Sequence, residues 1–191
     1  MFHKKCSITY LGLRKMHDGV YAELSIEPEA KGSLSIVGPE AKREYDVKSG
    51  QKDFKIFELN MTPARGPYSF NFSTKRDSCA TRVNFGGGNL ILKGRELVQK
   101  THASGEINYR IISGINMRLL NNGDLPVYLN SCEVEIDSKL LKNNFSPIFL
   151  MPGEEKDVAL SFEGRQGKRV RVSLLSEKNR EALLFTEILT Q

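Results

Sequence analysis

Residues 119–136, LLNNGDLPVYLNSCEVEI, set Asn121, Asn122 and Asp124 around Gly123, and side-chain oxygens at that spacing could close on a hard cation. A helix-flanked calcium loop needs alternating Asp or Asn ligands and a glutamate at the twelfth loop position. Here a single aspartate stands between two strand-like runs. The stretch is therefore expected to be a tight turn, with Asn122, Gly123 and Asp124 supplying positive φ and side-chain capping, and Pro126 opening the next strand.

Other chemistry-bearing residues are sparse. A free Met1-Phe2-His3 terminus could hold Cu(II) or Ni(II) through the amine, two amides and the His3 imidazole, although an incidental histidine on a frayed terminus is the plainer reading. Phe85-Gly86-Gly87-Gly88-Asn89 lacks the Gly-Lys-Ser/Thr of a phosphate loop, and strand-like NLIL rather than a helix follows it, so a hairpin or bulge turn is expected. The three histidines, His3, His17 and His102, fall at the terminus, in a turn and in a polar stretch, and no serine or cysteine sits in a nucleophile-elbow context. No enzyme, metal site or cofactor is expected.

Cys6, Cys79 and Cys132 form no C-x-x-C pair and are too scattered for a disulfide framework. Each stands in phase with apolar neighbours, Cys6 with Ile8, Cys79 with Val83 and Phe85, and Cys132 with Val134 and Ile136. All three are expected to be reduced, buried thiols.

The elements that must carry these residues are strands. In GVYAELSIE, Val20, Ala22, Leu24 and Ile26 alternate with polar residues, giving one face to a core and one to water. The alternation recurs at Leu34 and Ile36, Phe54 and Ile56, Tyr68 to Phe72, and Val83 with Phe85. In the second half it runs through INYRII, NMRLL, PVYLNSCEVEI, SPIFL, DVALSF, KRVRVSLL and ALLFTEI. Gly-, Pro- and Asn-bearing turns separate the runs every ten or so residues, the mark of an all-β chain. KLLKN could form one helical turn, and SEKNREALLF is read as a hairpin return rather than a helix. SGQKDFKIFEL with RGPYSFNFS matches PGEEKDVALSF with QGKRVRVSLL, two strand-turn-strand hairpins that suggest an internal repeat. QKTHASGE, residues 99–106, is the longest polar stretch and the expected domain boundary.

The chain has 191 residues, 27% charged, with a formal net charge of +5. Residues 1–100 hold 17 Lys plus Arg against 11 Asp plus Glu, or +6, and the remainder is −1. Lys42, Arg43, Lys75, Arg76 and Arg82 are dispersed beside acids such as Glu40, Glu44 and Asp77, which suits solvated strands better than a nucleic-acid surface. Arg169 and Arg171 in KRVRV share the outer face of a half-buried strand. These seven cations are the candidate contacts for a partner or polyanion. With no Trp and with Tyr and Phe in core phase, a sugar platform is disfavoured. Sequons at Asn60, Asn71 and Asn144 matter only in a secreted context. No apolar run approaches the roughly 18 residues of a membrane span, and no secretory leader is evident, so the default address is cytoplasmic, or extracellular if the chain is part of something longer.

The stretches RLLNNGDLPVYLNSCEVEI, FLMPGEEKDVALSFEG and QGKRVRVSLL, within residues 107–176, resemble the cell-adhesion-related (CARDB-type) branch of immunoglobulin-like domains. The resemblance rests on an Asn-Gly-Asp turn after a long strand, a Leu-x-Pro-Gly-Glu turn before an alternating strand, and a Gly turn before the next. It implies a seven-stranded sandwich used as a spacer, adhesion or interaction module, and it brings no catalytic residues. The expectation is an all-β chain of two tandem immunoglobulin-like antiparallel β-sandwich domains, residues 1–100 and 101–191. It would be a non-enzymatic structural or protein–protein interaction module. The alternative is a basic β-domain that binds nucleic acid or another polyanion through the first half.

Overall fold

The computed structural model describes residues 5–176 and 182–189. Every element among them is a β-strand, and the sheets are antiparallel. The chain divides into two compact units, Met1–Gly87 and Gly88–Gln191.

The first unit holds β1 (Ser7–Met16), β2 (Gly19–Glu27), β3 (Gly32–Val37), β4 (Lys42–Val47), β5 (Asp53–Phe57), β6 (Gly66–Ser73) and β7 (Ser78–Phe85). They form a three-stranded sheet, β1-β2-β5, and a four-stranded sheet, β4-β3-β6-β7. The inward residues are those the alternation marks: Val20, Ala22, Leu24 and Ile26 on β2, Leu34 and Ile36 on β3, and Tyr68, Phe70 and Phe72 on β6 are all buried. Rings bridge the two sheets, Tyr10 stacking on Phe70 with centroids 5.7 Å apart and Phe57 meeting Tyr68 edge-on at 5.6 Å. Such pairs add to the burial that closes one sheet on the other.

The second unit holds β8 (Leu90–Ser104), β9 (Ile107–Asn121), β10 (Val127–Leu129), β11 (Ser131–Ile136), β12 (Lys139–Leu141), β13 (Ile148–Leu150), β14 (Glu155–Arg165), β15 (Arg169–Leu175) and β16 (Ala182–Leu189). Its sheets are β14-β9-β8 and β12-β11-β15-β16, with β10 and β13 paired as a short ribbon. One hydrophobic cluster takes Ile115, Met117 and Leu160 from the first sheet, Val134, Ile136 and Val172 from the second, and Leu129 and Leu150 from the ribbon. The two units therefore repeat one plan. In order of appearance, the first, second and fifth strands of the first unit make one sheet and the other four make the second, and the same division recurs in the second unit once the ribbon is set aside.

Several expectations are corrected. Residues 99–106 do not divide the chain: they lie in a β8–β9 hairpin whose register runs from Leu90↔Asn121 to Ser104↔Ile107. This segment reads as a linker because it is exposed on both faces, so no apolar period marks it as strand. The passage between units is instead at FGGGN, where β7 and β8 belong to different sheets and no hairpin forms. Gly87 has φ +111°, which favours glycine, and a Cβ on Gly88 would press against the side chain of Val127 and the carbonyls of Pro126 and Leu125. With that boundary the first unit carries 14 Lys plus Arg against 10 Asp plus Glu, or +4, and the second 14 against 13.

The strand pairs of the internal repeat are not hairpins either. β5 and β6 lie in different sheets, as do β14 and β15, so each Gly turn carries the chain from one sheet to the other. KLLKN contributes strand β12 rather than a helical turn, and PVYLNSCEVEI breaks at Asn130 into β10 and β11. Strand β16 pairs antiparallel with β15, as a hairpin return requires, although residues 177–181 lie outside the described residues.

Candidate functional site

The LLNNGD stretch is a turn, but its organiser is the first asparagine. Asn121 ends β9 fully buried. Its carboxamide nitrogen donates to the carbonyls of Leu125 and Leu150 at 2.8 and 3.1 Å, and its Oδ1 accepts from the backbone N–H groups of Asn89 and Gly123 at 3.2 and 3.0 Å. The backbone joins in, with Asn121 N donating to Glu154 O and Gly153 N donating to Asn121 O at 2.8 Å. Both ends of the side chain are thus spent on four backbone groups, leaving it no lone pair aimed at solvent for a cation. Neither Asn122, Gly123 nor Asp124 takes a positive φ; that geometry occurs at Asp137 (47°) and Ser138 (67°), the two-residue turn between β11 and β12, and at Gly153 (77°). No group of three or more His, Cys, Asp or Glu gathers among the described residues. His3 lies outside the described residues.

Cys6 and Cys79 are joined in a disulfide, against the expectation of three free thiols. Strand phase showed only that each faces inward; it carried no information on which inward positions meet across 73 residues of chain. Cys132 is the free, half-buried thiol, and burial pushes its pKa up to about 12. A thiol so held is the reverse of a thiolate nucleophile.

The seven candidate cations do not assemble on one surface. Lys42 and Arg43 sit on β4, where acids neutralise them: Lys42 Nζ is 2.6 Å from Glu44, and Arg43 is 3.4 Å from Glu58. The hydrogen bond from Lys42 holds the Glu44 carboxyl below its ordinary range. Arg82 lies on β7, at the opposite edge of the same four-stranded sheet, about 14 Å away at the usual strand spacing. Arg169 and Arg171 are on β15 of the second unit, and Arg171 pairs with Glu135 at 3.6 Å.

Lys75 and Arg76 differ. They occupy the β6–β7 turn, which Thr74 fastens by accepting the N–H groups of Arg76 and Asp77 on its hydroxyl at 3.2 and 3.0 Å. Asp77, adjacent in sequence, forms no ion pair with either among the described residues, although its carboxylate remains charged beside them. Its carboxylate accepts the N–H of Cys6 and of Ser78, each at 2.8 Å, and these bonds lower its pKa. Neither Lys75 nor Arg76 has an ion-pair partner among the described residues. With Lys31 they line a groove of about 740 Å³ whose apolar walls come from Pro28, Ala30, Phe72 and Cys6, and whose one acidic lining residue is Asp77. Lys31 falls in EAKG, a segment whose sequence announces only a turn, and nothing in sequence spacing joins it to Lys75.

A second polar cluster is fully paired. Lys55 Nζ reaches Glu58 at 2.8 Å and Asp18 at 3.6 Å, the Tyr21 hydroxyl donates to Asp18 at 3.0 Å, and Tyr45 donates to the Lys55 carbonyl. The bond to Glu58 raises the Lys55 pKa and lowers that of Glu58. Groups locked in their charged forms tie β4, β5 and the β1–β2 turn together; a general base or an amine nucleophile needs the opposite shift.

No protein-family model matches the chain, and no curated protein matches its sequence. No helix among the described residues is long and apolar enough to cross a membrane.

Proposed function

We propose that the chain is a non-enzymatic protein-interaction module built from two tandem immunoglobulin-like sandwiches. The observation that carries the interaction reading is the groove in the first unit, where an apolar wall lies beside three cations, two of them held on a fastened turn. Apolar surface with a few placed charges suits the grip on a protein segment. Nucleic acid would favour many phosphate contacts and exposed rings for stacking, whereas the groove's aromatic, Phe72, is almost wholly buried.

The repeated strand plan supports the immunoglobulin-like assignment. Seven strands divided between two facing antiparallel sheets, with a strand after the third joining its sheet edge, is the pattern of that class. The CARDB-type resemblance of the second unit is kept as part of this proposal; its Asn-Gly-Asp and Leu-x-Pro-Gly-Glu turns meet at Asn121. The Cys6–Cys79 disulfide favours an oxidising compartment over the cytoplasm.

Capture from native extract on immobilised protein, followed by identification and reconstitution with the purified candidate, tests the reading. A stoichiometric protein complex is the expected result. Retention of nucleic acid alone, abolished by nuclease, would replace this reading with the polyanion one.

A further inference from the structure

Resting on the interaction-module reading, we infer that the groove at the Cys6–Cys79 end of the first unit binds an extended acidic segment of a partner protein. Carboxylates of that segment meet Lys31, Lys75 and Arg76, and one apolar side chain lies against Pro28 and Ala30.

The charge argument is local. Of the acidic residues nearest in sequence, Asp77 lies on the groove lining with its carboxylate bonded to the N–H groups of Cys6 and Ser78, while Glu27 and Glu29 line an adjoining depression that shares Pro28 and Ala30 with the groove. Lys31, Lys75 and Arg76 therefore outnumber the one carboxylate on the groove lining, Asp77, and none of the three forms an ion pair among the described residues, in contrast to Lys42 and Arg43, whose partners are Glu44 and Glu58. A net cationic rim beside an apolar wall is complementary to a ligand that is anionic and partly apolar.

The groove is also preorganised. Thr74 N donates to Asp77 O at 2.8 Å, closing the turn that presents both cations. The disulfide and the Asp77 carboxylate fix the start of β1 as one wall. Little side-chain and loop ordering is left for the binding step, which conserves affinity. An extended peptide presents side chains alternately, so an acidic residue flanking an apolar one reaches cations on the rim while the apolar group turns inward.

The test uses the full chain and fluorescence anisotropy with three probes: a short peptide of Asp and Glu around a central Leu, the same peptide with Leu replaced by Ser, and oligothymidylate of similar length. The expected order is Leu peptide tighter than Ser peptide, with oligothymidylate weakest. The double variant Lys75→Glu with Arg76→Glu is expected to weaken the Leu peptide by about tenfold or more. Lys42→Glu with Arg43→Glu is expected to leave it unchanged. Ala30→Glu, which puts a carboxylate in the groove without touching the turn, should reproduce the loss, and unaltered circular dichroism and melting show that each variant is folded. Equal affinity for all three probes, or indifference to both groove variants, overturns the inference. The broader reading fails separately: if a partner captured from extract persists with Lys75→Glu/Arg76→Glu, the groove is wrong and the module stands, whereas absence of any partner on the parent protein removes the module.

Discussion

The carboxamide of Asn121 donates a 3.1 Å hydrogen bond to the backbone carbonyl of Leu150, and so fastens the LLNNGD turn to the LMPGEE turn 29 residues on. The two turns thus form one hydrogen-bonded unit around a buried side chain. Truncation to alanine would leave the carbonyls of Leu125 and Leu150 and the N–H groups of Asn89 and Gly123 short of partners. Asn121→Ala is expected to lower stability by roughly 2–4 kcal/mol in a denaturant titration. Asn121→Asp should cost more, because it turns a carboxylate oxygen toward two carbonyls in the place of a donor. Should the aspartate variant be as stable as the parent, the bonding pattern around Asn121 is wrong.

The disulfide between Cys6 and Cys79 closes a loop of 73 residues. By the loop-closure model such a link is worth about 4 kcal/mol, chiefly through the unfolded chain. Cys6→Ser with Cys79→Ser is expected to lose most of that while Cys132→Ser is not. Thiol titration of the denatured, unreduced protein should find one free thiol per chain; three would mean that the link does not form.

Much of the fold was legible in the sequence wherever one face of a strand is dry. Val20 to Ile26 and Tyr68 to Phe72 alternate, and the structure buries the expected members of each set. Legibility fails where that asymmetry disappears. Strand β8 beyond Val98 is exposed on both faces, so its polar sequence resembles a linker. Three consecutive glycines have no side chains to say whether the chain reverses or moves on. The candidate site was half legible: Lys75 and Arg76 stand out as cations, but whether Asp77 or Glu44 neutralises a neighbour depends on where a carboxylate turns, and only the fold decides that. Asn121 passed as one of two turn asparagines because burial, not residue type, makes it the hub.

The division at Gly87 predicts how the chain can be cut. A fragment beginning at Gly88 keeps β8 paired with β9 along Leu90 to Val98 and is expected to unfold cooperatively. A fragment beginning at Glu106 lacks β8 and exposes the β9 edge, and should lose that cooperativity. Chemical denaturation of the two fragments decides between Gly87 and residues 99–106 as the boundary.

Alkaline pH should destabilise the fold through two acids, half-buried Cys132 and buried Tyr68. Burial pushes the Cys132 thiol up to about 12, and burial likewise raises Tyr68, whose hydroxyl donates to Ala64 O at 2.9 Å, to about 12. In the unfolded chain these groups ionise near their ordinary values of 9.0 and 10.0. Above those values the unfolded state binds fewer protons than the folded one, so stability falls as pH rises, in full measure below about pH 9 and progressively lost toward pH 12. Cys132→Ala should remove the part of the slope that begins near pH 9, and Tyr68→Phe the part that begins near pH 10. Denaturant midpoints measured across that interval check the assignment; a parent protein whose midpoint stays flat to pH 11 would show that neither group is held neutral by the fold.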